Sequence, residues 1–172
     1  MLKYARLERL RKMVDQTVNI LFCGIGGQGV LKASELCAQA AVLEGYHVKK
    51  SEVHGMAQRG GSVVSHLRFG KCVFSPLIPK GEADFLVALH VDEYKRMRFF
   101  LSSEGMGFLD YLKKAERILE DKRYLNTFMT AVLSKFIPIS EKNWIEALGN
   151  VFSDKYLAQN EKIFLMGRKM HN

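Results

Sequence analysis

Two glycine-rich segments, GIGGQG (24–29) and GMAQRGGS (55–62), are separated by only 25 residues and constrain the fold more than any other feature of the sequence. The first follows a continuous apolar run, VNILFCG (18–24), of the kind that is buried on both faces of a parallel sheet. Residues 30–45 then predict a helix, and HVKKSEVH (47–54) predicts the next strand. Strand, glycine turn, helix and strand form one βαβ unit, so the sequence predicts an α/β fold.

The first glycine segment fits the pattern GxGxxG. Its glycines let backbone N–H groups approach an anion closely, and the N-terminus of the following helix adds partial positive charge. We predict that the backbone of this turn and the Gln28 side chain hold phosphate; the residues concerned are Gly24, Gly26, Gly27, Gln28 and Gly29. Glu52 lies 23 residues after Gly29, where a dinucleotide-binding fold places the acid that binds ribose. A NAD- or flavin-binding domain, and a turn that only permits tight helix–strand packing, are open alternatives.

The second segment combines glycines with several hydrogen-bond donors, which is unusual for a loop that only reverses the chain. Arg59, with Gln58 beside it, can grip a phosphate or a carboxylate through two hydrogen bonds. Because both segments follow the carboxyl ends of predicted strands, we expect them to face each other and form one anion-binding edge. The predicted residues here are Glu52, His54, Gly55, Met56, Gln58, Arg59, Gly60, Gly61 and Ser62, with Glu52 and His54 positioning the others.

The rest of the chain completes the predicted sheet and covers it. SVVSHLRFGKCVFSPLI (62–78) alternates like a hairpin that turns at residues 69–71, and two prolines place its second strand near an edge. ADFLVALHV (83–91) predicts another buried parallel strand, and from residue 92 onward we predict helices with no strand between them. The predicted fold is a three-layer, mostly parallel, Rossmann-like α/β sheet with an edge hairpin and a helical C-terminal third.

The length fits a helical N-terminal extension over residues 1–17 and a single domain over residues 18–172. The net charge is +8, and residues 1–81 carry 12 Lys and Arg against 5 Asp and Glu, so the excess surrounds the glycine segments. Such a face attracts a cofactor phosphate or an acidic partner. Without a nucleic-acid-binding motif or an apolar run of about 20 residues, neither nucleic acid nor a membrane is an expected partner.

Three scattered cysteines with no CxxC pair predict a cytoplasmic protein that holds no metal and no iron–sulfur cluster. The sequence offers no convincing covalent catalyst, so no catalytic residue is assigned.

Four motifs, GIGGQGVLKAS (24–34), SEVHGMAQRGGSVVSHLRFG (51–70), SPLIPKGEAD (75–84) and KYLAQNEKIFLMGR (155–168), resemble the beta subunits of indolepyruvate ferredoxin oxidoreductases. More broadly, they resemble the gamma domain of the 2-oxoacid:ferredoxin oxidoreductases. The resemblance extends over residues 18–168, and the sequence of the second glycine segment resembles that of the indolepyruvate branch.

This resemblance implies a subunit of a complex that oxidatively decarboxylates a 2-oxoacid to an acyl-CoA and passes two electrons to ferredoxin. It implies that thiamine diphosphate and iron–sulfur clusters lie in a larger partner subunit. This chain would hold no cofactor alone, would close over the thiamine and CoA site, and would be inactive in isolation. A homo-oligomer is a further alternative.

Two departures from the family pattern affect this expectation. His90 stands where the family usually has Glu, and the stretch 92–125 is short. The sheet is therefore expected to lack strands or to have an edge that another chain completes. A small stand-alone NAD- or flavin-binding oxidoreductase and a diverged, non-catalytic interaction protein stay open as alternatives.

Overall fold

The computed structural model describes residues 16–54 and 60–170, which contain five strands and six α-helices. The predicted N-terminal helix falls on residues 1–15, outside the described residues. The strands are β1 (Val18–Ile25), β2 (His47–His54), β3 (Ser62–Gly70), β4 (Ala83–Ala88) and β5 (Leu101–Gly107). The helices are α1 (Val30–Leu43), α2 (Val91–Met97), α3 (Leu109–Ile118), α4 (Leu125–Leu133), α5 (Glu141–Val151) and α6 (Asp154–Lys169).

The strands form one mixed sheet in the order β2-β3-β1-β4-β5. β1, β4 and β5 run parallel to one another, whereas β3 is antiparallel to both of its neighbours, β1 and β2. β2 is therefore parallel to β1 but separated from it by β3, which splits the predicted βαβ unit. The predicted α/β class and the helical C-terminal third are confirmed.

An edge hairpin is present, but the strands that form it differ from the predicted ones. β2 and β3 make the hairpin, and residues 55–61 connect them. The predicted turn at residues 69–71 is wrong, because β3 is an inner strand that pairs along its whole length with β1. Residues 71–82 instead cross one face of the sheet, where His66 Nδ1 accepts a hydrogen bond from the Ile78 N–H at 3.1 Å. The alternating pattern of residues 62–70 thus belongs to one strand with two neighbours.

The prediction that no strand follows residue 91 is also wrong. Residues 101–107 form β5, which pairs in parallel with β4 through Ala83↔Leu101 and Phe85↔Met106. The register shifts between these two pairs, so β5 carries a bulge. Its sequence, LSSEGMG, shows neither a continuous apolar run nor a clean alternation, which is why it escaped sequence-based recognition.

Helices α1 and α2 cover opposite faces of the sheet. Glu35 of α1 forms an ion pair with Lys50 of β2 at 2.7 Å, and Lys50 pairs with Leu67 in β3. Glu93 of α2 accepts a hydrogen bond from Ser62 at 2.7 Å. Ser62 and Leu67 are five residues apart on a strand whose side chains alternate between faces, so these two contacts lie on opposite sides. The helices after β1 and β4 therefore diverge, and the crevice between these two strands is the topological switch point.

Among the C-terminal helices, α4 is the one that is buried over its whole length. All nine residues of α4 are buried. Trp144 of α5 and Phe164 of α6 are both fully buried, with ring centroids 5.5 Å apart. None of the described helices combines the length and the apolar content needed to span a bilayer.

Candidate functional site

The two glycine segments meet at the carboxyl end of β1. The Gly26 N–H donates a hydrogen bond to the Gly61 carbonyl at 2.8 Å. A Cβ atom added to Gly26 would lie 3.2 Å from the Gly60 nitrogen, which is tighter than nine in ten real Cβ contacts. The register places Ile25 opposite Ser62, so the antiparallel pairing of β1 and β3 brings the segments together.

The first segment turns sharply into α1. Gly27 and Gly29 have φ angles of 95° and 80°, a left-handed conformation that favours glycine. Gly29 is the N-cap of α1, and its cap has no side-chain hydrogen bond. The first N–H groups of a helix lack intrahelical partners and carry partial positive charge. The turn can therefore bind an anion through its backbone, and a Cβ atom at Gly27 would meet nothing within 4 Å, so its outer side is open.

Gln28 lies in the turn, but its amide already has two intramolecular partners. Its Oε1 accepts the Ile25 N–H at 2.9 Å, and its Nε2 donates to the Leu89 carbonyl at 2.8 Å. These backbone groups belong to the ends of β1 and β4, so the Gln28 amide fills the switch-point crevice where open α/β sheets usually bind their ligands. The geometry gives Gln28 a structural role, and a phosphate contact from this side chain stays a prediction.

Glu52 lies apart from the first glycine segment. Its carboxylate forms an ion pair with Lys50 at 2.9 Å, and Lys50 also pairs with Glu35 of α1. Because β3 lies between β1 and β2, Glu52 is two strand spacings from β1, about 9.6 Å. A dinucleotide-binding fold has β2 directly beside β1, so this arrangement differs from the one that binds ribose.

The other predicted residues of the second segment are described only in part. The His54 backbone ends β2 opposite Val63, while the His54 side chain and residues 55–59 lie outside the described residues. The predicted roles of His54, Met56, Gln58 and Arg59 stay predictions. Gly60, with a φ of 92°, and Gly61 are described and contact the first segment as expected.

A polar cluster lies directly behind this edge and joins the predicted residue Ser62 to Glu93 and Arg96, which were not predicted. Ser62 Oγ donates to Glu93 Oε2 at 2.7 Å, and Arg96 holds the same carboxylate through Nη2 at 2.6 Å and Nε at 3.3 Å. Arg96 Nη2 also donates to Ser62 Oγ. Burial alone would raise the pKa of the Glu93 carboxyl, but the hydrogen bonds from Arg96 and Ser62 outweigh burial and hold the pKa below its ordinary value. Glu93 is therefore a charged, paired carboxylate. The only available signal was an acid and an arginine three residues apart on a short helix.

Two further residues near the edge have structural roles. His90 is the N-cap of α2, and its Nδ1 accepts the Asp92 N–H at 3.3 Å. Asn126 of α4 approaches the first glycine segment, with its Nδ2 3.4 Å from the Gly29 carbonyl oxygen.

Cys23, just before the turn, is fully buried, and burial raises the pKa of its thiol to about 12, so it is not a thiolate at neutral pH.

The sequence pattern of the pyruvate ferredoxin/flavodoxin oxidoreductase family matches residues 19–112, just over half of the chain and the part that builds this edge. The indolepyruvate oxidoreductase subunit IorB of Thermococcus kodakarensis is 38% identical over 105 residues, which are 61% of this chain and 46% of that protein. The IorB subunit of Methanothermobacter thermautotrophicus is 50% identical over 92 residues, 54% of this chain and 46% of that protein. The chain spans about half the length of these curated relatives.

Two solved structures have the same fold. The gamma subunit of a keto/oxoacid ferredoxin oxidoreductase from Geobacter sulfurreducens superposes with a TM-score of 0.70 at 19% identity, covering 88% of this chain and 94% of that one. The 2-oxoglutarate:ferredoxin oxidoreductase from Magnetococcus marinus, with 2-oxoglutarate, coenzyme A and succinyl-CoA bound, superposes with a TM-score of 0.73 at 18% identity. The match covers 90% of this chain and 31% of that one, so in the larger chain this fold is one part among others.

Proposed function

The chain belongs to the pyruvate ferredoxin/flavodoxin oxidoreductase family, and we propose that it is the small, gamma- or beta-type subunit of a thiamine-diphosphate-dependent 2-oxoacid:ferredoxin oxidoreductase. The reaction is the oxidative decarboxylation of a 2-oxoacid to an acyl-CoA, with electrons passed to ferredoxin. An indolepyruvate-like substrate is proposed because the curated relatives with 38% to 50% identity are IorB subunits. We also propose a cytoplasmic location, based on the scattered cysteines.

One observation carries this proposal: the described residues form the glycine edge but leave its outer side open at Gly27. The Gly26–Gly61 hydrogen bond joins the two segments, while the Gln28 amide fills the crevice that would otherwise surround a ligand. Within residues 16–54 and 60–170, a ligand at this edge is covered on one side only. The proposal is that a second protein surface supplies the other side, as expected of a subunit that closes over a site in its partner.

The described residues fit the phosphate of a cofactor or of CoA. The cap of α1 and the turn at Gly27 present backbone N–H groups to an open side, and the excess of Lys and Arg lies in this half of the chain. Thiamine diphosphate, held by the larger subunit, supplies the nucleophilic carbon of the reaction. The role we propose for this chain is to bind and orient anionic groups and to exclude water, with Arg59 as the charged contact. Iron–sulfur clusters are assigned to the larger subunit.

The stand-alone NAD- or flavin-binding enzyme has less support. Its key acid, Glu52, is separated from β1 by β3 and is paired with Lys50. The non-catalytic interaction protein differs from our proposal only in lacking activity, so the assay below separates the two.

The test is co-expression of the full chain with the larger thiamine- and ferredoxin-type subunit encoded in the same genome, followed by a viologen-reduction assay with indolepyruvate and CoA. We expect a stable complex and oxoacid-dependent reduction. Arg59→Ala should lower turnover about 100-fold, since misplacing a reacting group has effects of this size. Arg117→Ala, which removes an exposed arginine of α3, is the matched control and should leave turnover unchanged.

Two results would overturn the proposal. One is failure of any cluster-bearing larger subunit to co-purify with the chain. The other is equal turnover in the Arg59 and Arg117 variants. Tight binding of NAD to the isolated chain, lost on Glu52→Ala, would instead support the stand-alone enzyme.

A further inference from the structure

We propose that Glu93 and Arg96 are positioning residues that fix the exit of the second glycine segment against the first, and so set the anion-binding edge. This inference rests on the proposed function for its catalytic consequence, and on the structure alone for the positioning itself. Both residues belong to α2, the helix that follows β4. Neither residue was predicted to belong to the site.

The geometry links α2 to the residue at which the second segment becomes β3. Ser62, the first residue of β3, donates to Glu93 Oε2 at 2.7 Å and accepts a hydrogen bond from Arg96. Arg96 holds both carboxylate oxygens of Glu93, so the three side chains form a closed set of hydrogen bonds. One residue earlier, the Gly61 carbonyl accepts the Gly26 N–H. The exit of the segment is thus anchored by its backbone to β1 and by a side chain to α2.

A second ion pair on the same helix shows what is special about this one. Asp92 and Lys95 also lie three residues apart, at 3.0 Å, but their side chains are 74% and 66% exposed. Exposed pairs of this kind contribute little to stability. The Glu93 side chain is only 12% exposed, and its carboxylate contacts a residue outside the helix. Taking a carboxylate out of water is unfavourable unless it is fully paired, so Glu93 depends on both Arg96 and Ser62.

The cluster of Ser62, Glu93 and Arg96 lies where it can change the distance between the two glycine segments. Ser62 lies opposite Ile25, the last residue of β1, from which the first glycine segment continues. A shift of Ser62 toward or away from α2 therefore changes the separation of the two segments, and with it the spacing of the groups available to an anion. The ligand class is a phosphate-bearing molecule held between this chain and its partner, with CoA as the probe substrate.

The first experiment measures amide hydrogen exchange by mass spectrometry in the full-length chain, in the peptide that contains Gly26, whose N–H donates to the Gly61 carbonyl. Removing a hydrogen bond to a charged group should raise exchange about 10-fold in Glu93→Gln and in Arg96→Gln. Arg96→Lys, which keeps the charge but loses the two-pronged contact, should give a smaller increase. Asp92→Asn and Lys95→Gln are the matched controls and should leave the exchange rate of this peptide unchanged.

The second experiment uses the assembled complex. We expect Glu93→Gln to raise the KM for CoA about 10-fold with a smaller change in kcat, whereas Asp92→Asn changes neither. Unchanged exchange at Gly26 in Glu93→Gln, or an equal rise in Asp92→Asn, would overturn the positioning role. If exchange responds as expected while the wild-type complex shows no oxoacid-dependent activity, the proposed function fails and the positioning role stands.

Discussion

The glycine edge and the C-terminal helices are held together by different kinds of interaction. The helical region is held by buried apolar side chains: every residue of α4 is buried, and the centroids of the tilted Trp144 and Phe164 rings lie 5.5 Å apart. The edge is held by a few directional contacts, chiefly the Gly26–Gly61 hydrogen bond, the Gln28 amide and the cluster around Glu93. Substitutions in the helices should therefore change stability, while substitutions at the edge should mainly change binding and turnover.

The largest expected effect is on the helical side. Trp144→Ala removes a fully buried indole and leaves a cavity between α5 and α6. The free energy of unfolding should fall by about 3–5 kcal/mol, measured by urea denaturation of the full chain. Phe74→Ala is the control, because Phe74 is 91% exposed and its loss should have little effect. A small loss for Trp144→Ala would mean that the helical region is not the stabilising half of the molecule.

The next prediction tests the boundary between the two regions, since Gln28 lies at the edge but acts structurally. Gln28→Met leaves the Ile25 N–H and the Leu89 carbonyl without their amide partner. Unfolding free energy should drop by about 1–3 kcal/mol in a denaturant titration. Gln39→Met, which removes only a contact with Glu35 within α1, should cost less. Equal costs for the two variants would contradict the structural role of Gln28.

Alanine substitutions at Gly26 in the edge and at Gly149 in α5 should have opposite effects on stability. Gly26→Ala places a methyl group 3.2 Å from the Gly60 nitrogen, which should lower the unfolding free energy by only about 1 kcal/mol. It should nonetheless reduce turnover of the assembled complex about 10-fold, because it separates the two segments. Gly149→Ala in α5 meets no atom within 4 Å and should raise stability by about 0.5–1 kcal/mol without affecting turnover. Thermal unfolding and the viologen assay together check both variants.

The smallest effect near neutral pH concerns His66, which receives the Ile78 N–H from the segment crossing the sheet. Burial lowers the pKa of His66 in the folded state. Above the ordinary histidine pKa of about 6.5 both states are neutral, so its contribution to stability is fully present. That contribution is lost as pH falls below about 6.5 toward the folded-state pKa, because the unfolded chain takes up the proton first. His66→Gln should flatten the dependence of unfolding free energy on pH below about 6.5, and an unchanged slope would contradict this account.

The sequence could predict the elements whose signals are local. The apolar run of β1, the glycine turn and the amphipathic α1 lie next to one another in the chain, and all appear as expected. The meeting of the two glycine segments also followed from a local rule, that both come after strand carboxyl ends. The structure places Gly26 and Gly61 in direct contact.

What escaped prediction depends on pairing between distant residues. β3 lies between β1 and β2, and no local sequence pattern specifies which strands pair with which. The alternating pattern of residues 62–70 fits an edge strand of a hairpin as well as a central strand. β5 is short, bulged and rich in glycine, so it lacks strand periodicity. Glu93 contacts Ser62 across 31 residues of sequence, and no local pattern marks such a contact. Gln28 was correctly placed in the turn, but sequence alone does not show that its amide is already used.

The β2–β3 hairpin has a consequence for how such subunits diverge. The pairing of His47 through His54 with Val63 through Gly70, together with the buried face of β3, fixes the register of the hairpin independently of the residues at its tip. Residues 55–61 can therefore change in composition or length while the sheet stays aligned, and each doubling of a loop's length adds only about 0.6 kcal/mol of closure entropy. We therefore expect that the tip can be exchanged between related subunits without disturbing the alignment of the sheet.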